Sequence, residues 1–184
     1  MPLFSKKLSE VNLVLLVAAF LTLTGNFTFL EKTLQIYPLS ENWLFLGSLF
    51  LFLFTFLSAL LIVLCFRWSL KPILILLLLI SAVLTYSTNN FGVVFDHNMI
   101  TNTFETDTSE LSDLVSIKSL IYFCLLGLIP SIYVWKIPLV KASIKAQLWQ
   151  RIKMLLALIV VFVIVVLSFS KHYSSFAREN RDLR

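Results

Sequence analysis

Residues 91–114, FGVVFDHNMITNTFETDTSELSDL, gather most of the side chains in this chain that could do chemistry. Asn102, Thr106 and Glu110 are spaced by four. On a continuing helix they share one face. Asn and Thr can donate to a phosphate, and Glu can pair with a cationic amine. Such a polar rim suits a phospholipid head group that carries both charges. A plainer account uses the same residues. Asp96 can cap a short helix from near His97, and Asp107 with Glu110 resembles a capping box that starts a second. Met99, Ile100 and Phe104 among these polar residues make an amphipathic pattern suited to a membrane interface. Capping and solvation of an exposed surface therefore stand beside head-group recognition.

No other stretch offers reactive machinery. His97 and His172 lie far apart in the chain, and neither belongs to a cluster of metal-ligating types. No Ser-His-Asp set, phosphate-cradling Gly-rich loop or metal-spaced carboxylate group occurs. Cys65 and Cys124 both fall in apolar blocks without redox or metal spacing, so they read as small buried residues. The net charge of +5 does not point to nucleic acid, because the basic residues cluster beside apolar blocks. Topology and anionic lipid heads explain that placement.

The elements that must position the acid-rich segment are membrane spans. The chain has 184 residues, of which 59% are hydrophobic and 14% charged. A soluble domain is nearer a quarter charged. Five apolar blocks appear, at about 11–30, 43–66, 70–88, 117–135 and 152–170. Each approaches the roughly 20 residues a spanning helix needs, and lipid requires helices rather than open sheet. The expected fold is an all-α membrane protein with five transmembrane helices. An interfacial helical segment, 91–116, is expected between helices 3 and 4. The first block is too long for a signal-peptide core and lacks a clear cleavage site, so it is expected to be retained.

Charge sets the orientation. With the N-terminus inside, inner segments hold Lys6, Lys7, Arg67, Lys71, Lys136, Lys141, Lys145, Arg151 and Lys153, while outer loops hold only Lys32 and Lys118. Positive-inside therefore predicts N-in and C-out. The basic tail (Lys171, Arg178, Arg181, Arg184) partly opposes this. The inner loop KIPLVKASIKAQLWQRIK is expected to lie on the inner leaflet, and Pro130 is expected to kink the fourth span. Apart from Lys71, Lys118 and Lys153, each the second residue of its block, the five predicted spans contain no Asp, Glu, Lys or Arg, which leaves a transporter without a coupling residue in their cores.

Ordered stretches carry a family resemblance. They are Gly25-Asn26-Phe27-Thr28-Phe29 with Tyr37-Pro38-Leu39; Leu70-Lys71-Pro72-Ile73-Leu74; Phe91-Gly92-Val93-Val94-Phe95-Asp96 with Met99-Ile100, Asn102 and Thr106 to Glu110; and Phe169 to Phe176 with Arg178. Taken together, the chain resembles the N-terminal membrane domain of bacterial lipid A phosphoethanolamine transferases, the family that includes mobile colistin-resistance enzymes. Phe91 and Ala177 depart from the family pattern, which usually has Tyr and commonly an aromatic there.

The resemblance implies a five-span domain, 1–170, tethering a periplasmic catalytic domain of alkaline-phosphatase-like fold. Residues 171–184 would begin the linker. It implies zinc and a Thr nucleophile in that catalytic domain, and no cofactor in this chain. The implied donor is phosphatidylethanolamine and the implied acceptor lipid A. Positions matching Asn102, Thr106 and Glu110 are implied to help hold the lipid substrate. His172, within the family-like SKHYSSF turn, is a candidate for interdomain contact. The implied location is the bacterial inner membrane, with a cytoplasmic N-terminus and a periplasmic C-terminus. Alone, residues 1–184 are expected to be inactive. The alternative expectation is a stand-alone membrane protein that binds lipid or a partner without catalysis.

Overall fold

A computed structural model describes residues 7–91 and 116–170. The fold is all-α. The elements are α1 (Glu10–Gly25), α2 (Phe27–Ile36), α3 (Leu39–Leu64), α4 (Leu70–Phe91), α5 (Ile117–Tyr122), a π-helical stretch (Phe123–Leu128), α6 (Ile129–Lys136) and α7 (Ile144–Ser168). Among the described residues, α3, α4, the run from α5 to α6, and α7 are each long and apolar enough to cross a membrane. A fifth candidate is the pair α1 and α2, bent by 57°.

The helix bounds depart from the apolar blocks at two places. The first block continues to Leu30, but α1 stops at Gly25 and the chain turns. Hydropathy does not register a bend whose flanks are both apolar. The fifth helix begins at Ile144, eight residues before its block, because Ser143 accepts from the Ala146 amide and starts it. Much of the expected inner loop is therefore the first two turns of α7. Trp43, Trp68, Trp135 and Trp149 are exposed near helix ends, where interfacial rings belong.

The core runs along α4. Leu70, Leu74, Leu78, Ala82 and Tyr86 recur at every fourth position, and all are buried. The outward faces of α3 and α7 carry exposed Phe56, Leu60, Val160 and Leu167. This is the inverse of a water-soluble bundle. Lipid tails are as apolar as Leu, so hydrophobic burial cannot hold the helices together, and tight packing and polar ties must.

Those ties gather at the Lys/Arg-rich end. Arg151 of α7 is 5% exposed. Its Nη2 meets Glu10 Oε2 at 2.8 Å, at the start of α1. Its Nη1 donates to the Ile62 carbonyl at 2.8 Å and also to the Cys65 carbonyl, at the end of α3. The guanidinium stands over the Phe66 ring, 5.0 Å from its centre. One side chain thus joins three helices and satisfies orphan carbonyls of α3. Lys71 does the same between α4 and α6, donating to the carbonyls of Trp135 (2.7 Å) and Ile137 (2.9 Å). Leu8 pairs with Leu139 in a short parallel bridge, through Leu8 N to Pro138 O and Val140 N to Leu8 O. Gln150 donates to Ser9 Oγ at 3.2 Å.

Two glycines mark the closest helix contacts. A Cβ on Gly127 would lie 3.1 Å from Ala82 Cβ, and one on Gly25 3.1 Å from Ser81 Oγ. Gly47 in α3 has nothing within 4 Å of that position.

Two outcomes follow for stability, measured by thermal unfolding of the purified chain in detergent. Arg151→Ala strands a buried carboxylate and should cost about 3–5 kcal/mol. Arg151→Lys should recover little, because an ammonium cannot serve a carboxylate and two carbonyls in fixed directions. Gly127→Ala should destabilise by about 1–3 kcal/mol through overpacking, whereas Gly47→Ala should be neutral or stabilising.

Candidate functional site: a lateral cleft at the end opposite the basic cluster

At the other end of the bundle the helices part. On α4, Ser81 and Ala82 are clamped by Gly25 and Gly127 from two sides. One turn further on, at Thr85, and two turns on, at Asn89, the neighbours diverge.

The divergence on the α1 side is built by local hydrogen bonding. Thr22 and Thr24 donate back to the carbonyls of Ala18 and Phe20, each at 2.8 Å. Such back-bonding bends helices. Asn26 leaves the helical region (φ −112°, ψ 19°), and its Nδ2 takes up the Thr22 carbonyl at 3.3 Å. α2 then departs at 57°. Thr28 of α2 donates to Asn89 Oδ1, which fixes the departing helix against the end of α4.

The divergence on the other side comes from the π-helical stretch. Pro130 has no N–H and would press on the Leu126 carbonyl of a regular helix. The chain instead widens its turns before the proline, and the Ile129 amide reaches back to the Cys124 carbonyl. The kink expected at Pro130 thus takes the form of a π-helical widening ahead of it. Ser116 and Ser119 form a reciprocal cap at the start of α5. Tyr86 and Ser116 share a hydrogen bond of 2.9 Å between their hydroxyls. The Tyr86 and Tyr122 rings meet edge to face at 5.7 Å.

Between these elements lies a cleft of about 330 Å³, open to the side of the bundle. Leu23 and Phe27 form one wall, and Ile121, Tyr122, Leu125 and Leu126 the other. Its back is α4, which contributes Thr85 and Asn89. Among the described residues no charged side chain lines it. Thr85 is 6% exposed, and among the described residues its hydroxyl has no hydrogen-bond partner. Asn89 spends its oxygen on Thr28, which leaves its amide hydrogens for another acceptor. A polar atom pair one turn apart in an otherwise apolar slot can hold the ester or phosphate part of an amphiphile. Among the described residues its lining carries no carboxylate, imidazole, amine or thiol.

Asn102, Thr106 and Glu110 lie outside the described residues, as do His97, His172 and the 171–184 linker. What is visible is where their segment attaches. It leaves α4 after Phe91, two residues past Asn89, and returns at Ser116, whose hydroxyl bonds to Tyr86, the residue after Thr85. Thr85 and Asn89 were hidden inside and at the end of an apolar block. The available signal was the polar stripe Ser81, Thr85, Asn89 at every fourth residue. Cys65 and Cys124 are free thiols, the first buried. Among the described residues no three of His, Cys, Asp and Glu converge as metal ligands.

The family model for phosphoethanolamine transferase EptA/EptB, N-terminal region, matches residues 53–184. Phosphatidylethanolamine transferase Mcr-1 of Escherichia coli is 34% identical over 188 residues, covering 98% of this chain and 34% of that protein. Mcr-2 of Escherichia coli is 34% identical over 92% of this chain and 31% of its own length. Among solved structures, the integral membrane lipooligosaccharide phosphoethanolamine transferase A (EptA) from Neisseria meningitidis superposes with a TM-score of 0.87 at 20% identity. It covers 97% of this chain and 34% of that one. The chain thus spans about a third of the length of the relatives it matches. With a fold of apolar helices tied at one end and this run of matches along it, the chain belongs to the EptA/Mcr phosphoethanolamine transferase family and corresponds to its N-terminal membrane domain.

Proposed function

We propose that this membrane domain anchors a phosphoethanolamine transferase that modifies lipid A and so confers polymyxin and colistin resistance. In this reading it helps present phosphatidylethanolamine to a catalytic domain on the far side of the bacterial inner membrane. The N-terminus and the basic cluster face the cytoplasm, and the cleft and the acid-rich segment face the periplasm. Zinc and the Thr nucleophile belong to the catalytic domain of the longer protein. The observation that carries this reading is that the acid-rich segment leaves α4 two residues past Asn89 of the cleft and rejoins at Ser116, bonded to Tyr86 beside Thr85. A head group lying on that segment could keep its chains in the bilayer. Asn102 and Thr106 would donate to the phosphate, and Glu110 would pair with the ammonium.

In the full-length protein, Asn102→Ala or Glu110→Ala should each lower lipid A modification about tenfold through loss of one charge-assisted contact. Polymyxin tolerance should fall with it at matched membrane abundance. Unchanged modification would reduce these residues to solvating polars. For topology, Glu105→Cys in a background with Cys65 and Cys124 replaced by Ala should react with a membrane-impermeant maleimide on spheroplasts. Reaction only after permeabilisation would place the segment in the cytosol and end the reading.

A further inference from the structure

Thr85 is the least expected side chain in the cleft. The threonine as a whole is buried, and a helical threonine can donate its hydroxyl to the carbonyl four residues earlier. Thr22, Thr24, Thr33 and Thr55 all do this here. Thr85 does not, and it lines an opening. Asn89 stands about 6 Å further along the same face of α4, with donors to spare. Among the described residues the rest of the lining is aliphatic and aromatic except for Thr24, whose hydroxyl is spent on the Phe20 carbonyl, and the volume of about 330 Å³ is at the small end of ligand sites.

We infer that the cleft is a binding site for one acyl chain of a membrane glycerophospholipid. The chain lies along Leu23, Leu125 and Leu126, and its ester carbonyl accepts from Thr85 Oγ1 and Asn89 Nδ2. The occupant follows from three features. The slot opens sideways, where the exposed flanks of Ile121 and Leu125 meet hydrocarbon. Its lining among the described residues is uncharged, which suits a chain and an ester rather than an ionic head. Its two donors sit at the end of α4 nearest the polar segment, where a membrane lipid turns from chain to head. This deepens the reading proposed above, since a donor lipid seated so would have its head beside residues 92–115. It does not require the transferase activity, and is tested without it.

The test uses the 184-residue chain in nanodiscs of phosphatidylethanolamine and phosphatidylglycerol, with a phosphatidylethanolamine probe bearing a diazirine in one acyl chain. After irradiation, labelled residues are mapped by peptide mass spectrometry. Label should concentrate on 23–27 and 121–126, well above the exposed strip of α7 at Val160, Ile164 and Leu167, which sees only the surrounding lipid. Leu125→Trp, at an exposed position that tolerates bulk, should fill the slot and bring cleft labelling down to the α7 level. Thr85→Val keeps the shape and removes the hydroxyl. It should lower cleft labelling about fivefold, the equivalent of one hydrogen bond, while leaving the thermal midpoint unchanged or higher. A merely structural Thr85 would not separate these two readouts. Uniform labelling of cleft and α7, or labelling that survives both substitutions, overturns the site. A phosphatidylglycerol probe should label the cleft equally. Labelling confined to the ethanolamine lipid would overturn the assignment of Thr85 and Asn89 to the ester. Absence of lipid A modification by the unsubstituted longer protein, with cleft labelling intact, would count against the transferase reading alone.

Discussion

The arginine buried between three helices governs how this domain is built. In hydrocarbon, a guanidinium is costly unless every partner is in place. Arg151 has a carboxylate on α1 and two carbonyls on α3, so these helices have one permitted arrangement around α7 at that end. Lys71 locks α4 to α6 in the same way. Both cations lie at the basic end, where they also report topology. The residues on which the positive-inside expectation rests therefore also fasten the bundle. A solvated lysine cluster would serve the first purpose and not the second.

Fastening one end leaves the other free to open. The geometry passes through α4, whose middle is gripped by Gly25 and Gly127. Beyond that grip the α1–α2 bend and the π-helical stretch carry their side chains away from it in opposite directions. At each deviation a backbone group finds a substitute partner. Asn26 takes up the carbonyl at the bend, and the Ile129 amide bonds one residue further back than usual. That accounting is obligatory at membrane depth. Irregular backbone is tolerated there where it lines a cavity, and here both irregularities flank the same one.

The all-α class, the five apolar runs and the split of basic residues were legible in the chain because hydropathy and charge are sums over many residues. The family was legible because its short motifs keep their order. The details that make the site were not. A bend between Gly25 and Phe27 changes no running average, since Leu23 and Phe27 are both apolar. Pro130 announced a kink but not that the preceding turns would widen. Arg151 looked like one more inner-leaflet cation, since its partner Glu10 is 141 residues away in sequence. Thr85 and Asn89 required knowing which face of α4 is covered, and that depends on where its neighbours diverge. Asn102, Thr106 and Glu110 were conspicuous by type and spacing, and their segment is located here only through its two attachment points.

A sideways opening is also what the energetics of a lipid donor demand. Each methylene drawn from hydrocarbon into water costs about 0.8 kcal/mol. A chain of some sixteen carbons would therefore cost roughly 13 kcal/mol to extract. Head-group contacts of about 1.5–3 kcal/mol each cannot offset two such chains. A transferase acting on a phospholipid must come to the lipid, hold its chains at bilayer depth, and reach only the head. A slot that runs from an apolar lining to a pair of neutral donors, close to where α4 ends, would meet that requirement. A water-filled pocket closed to the membrane would not.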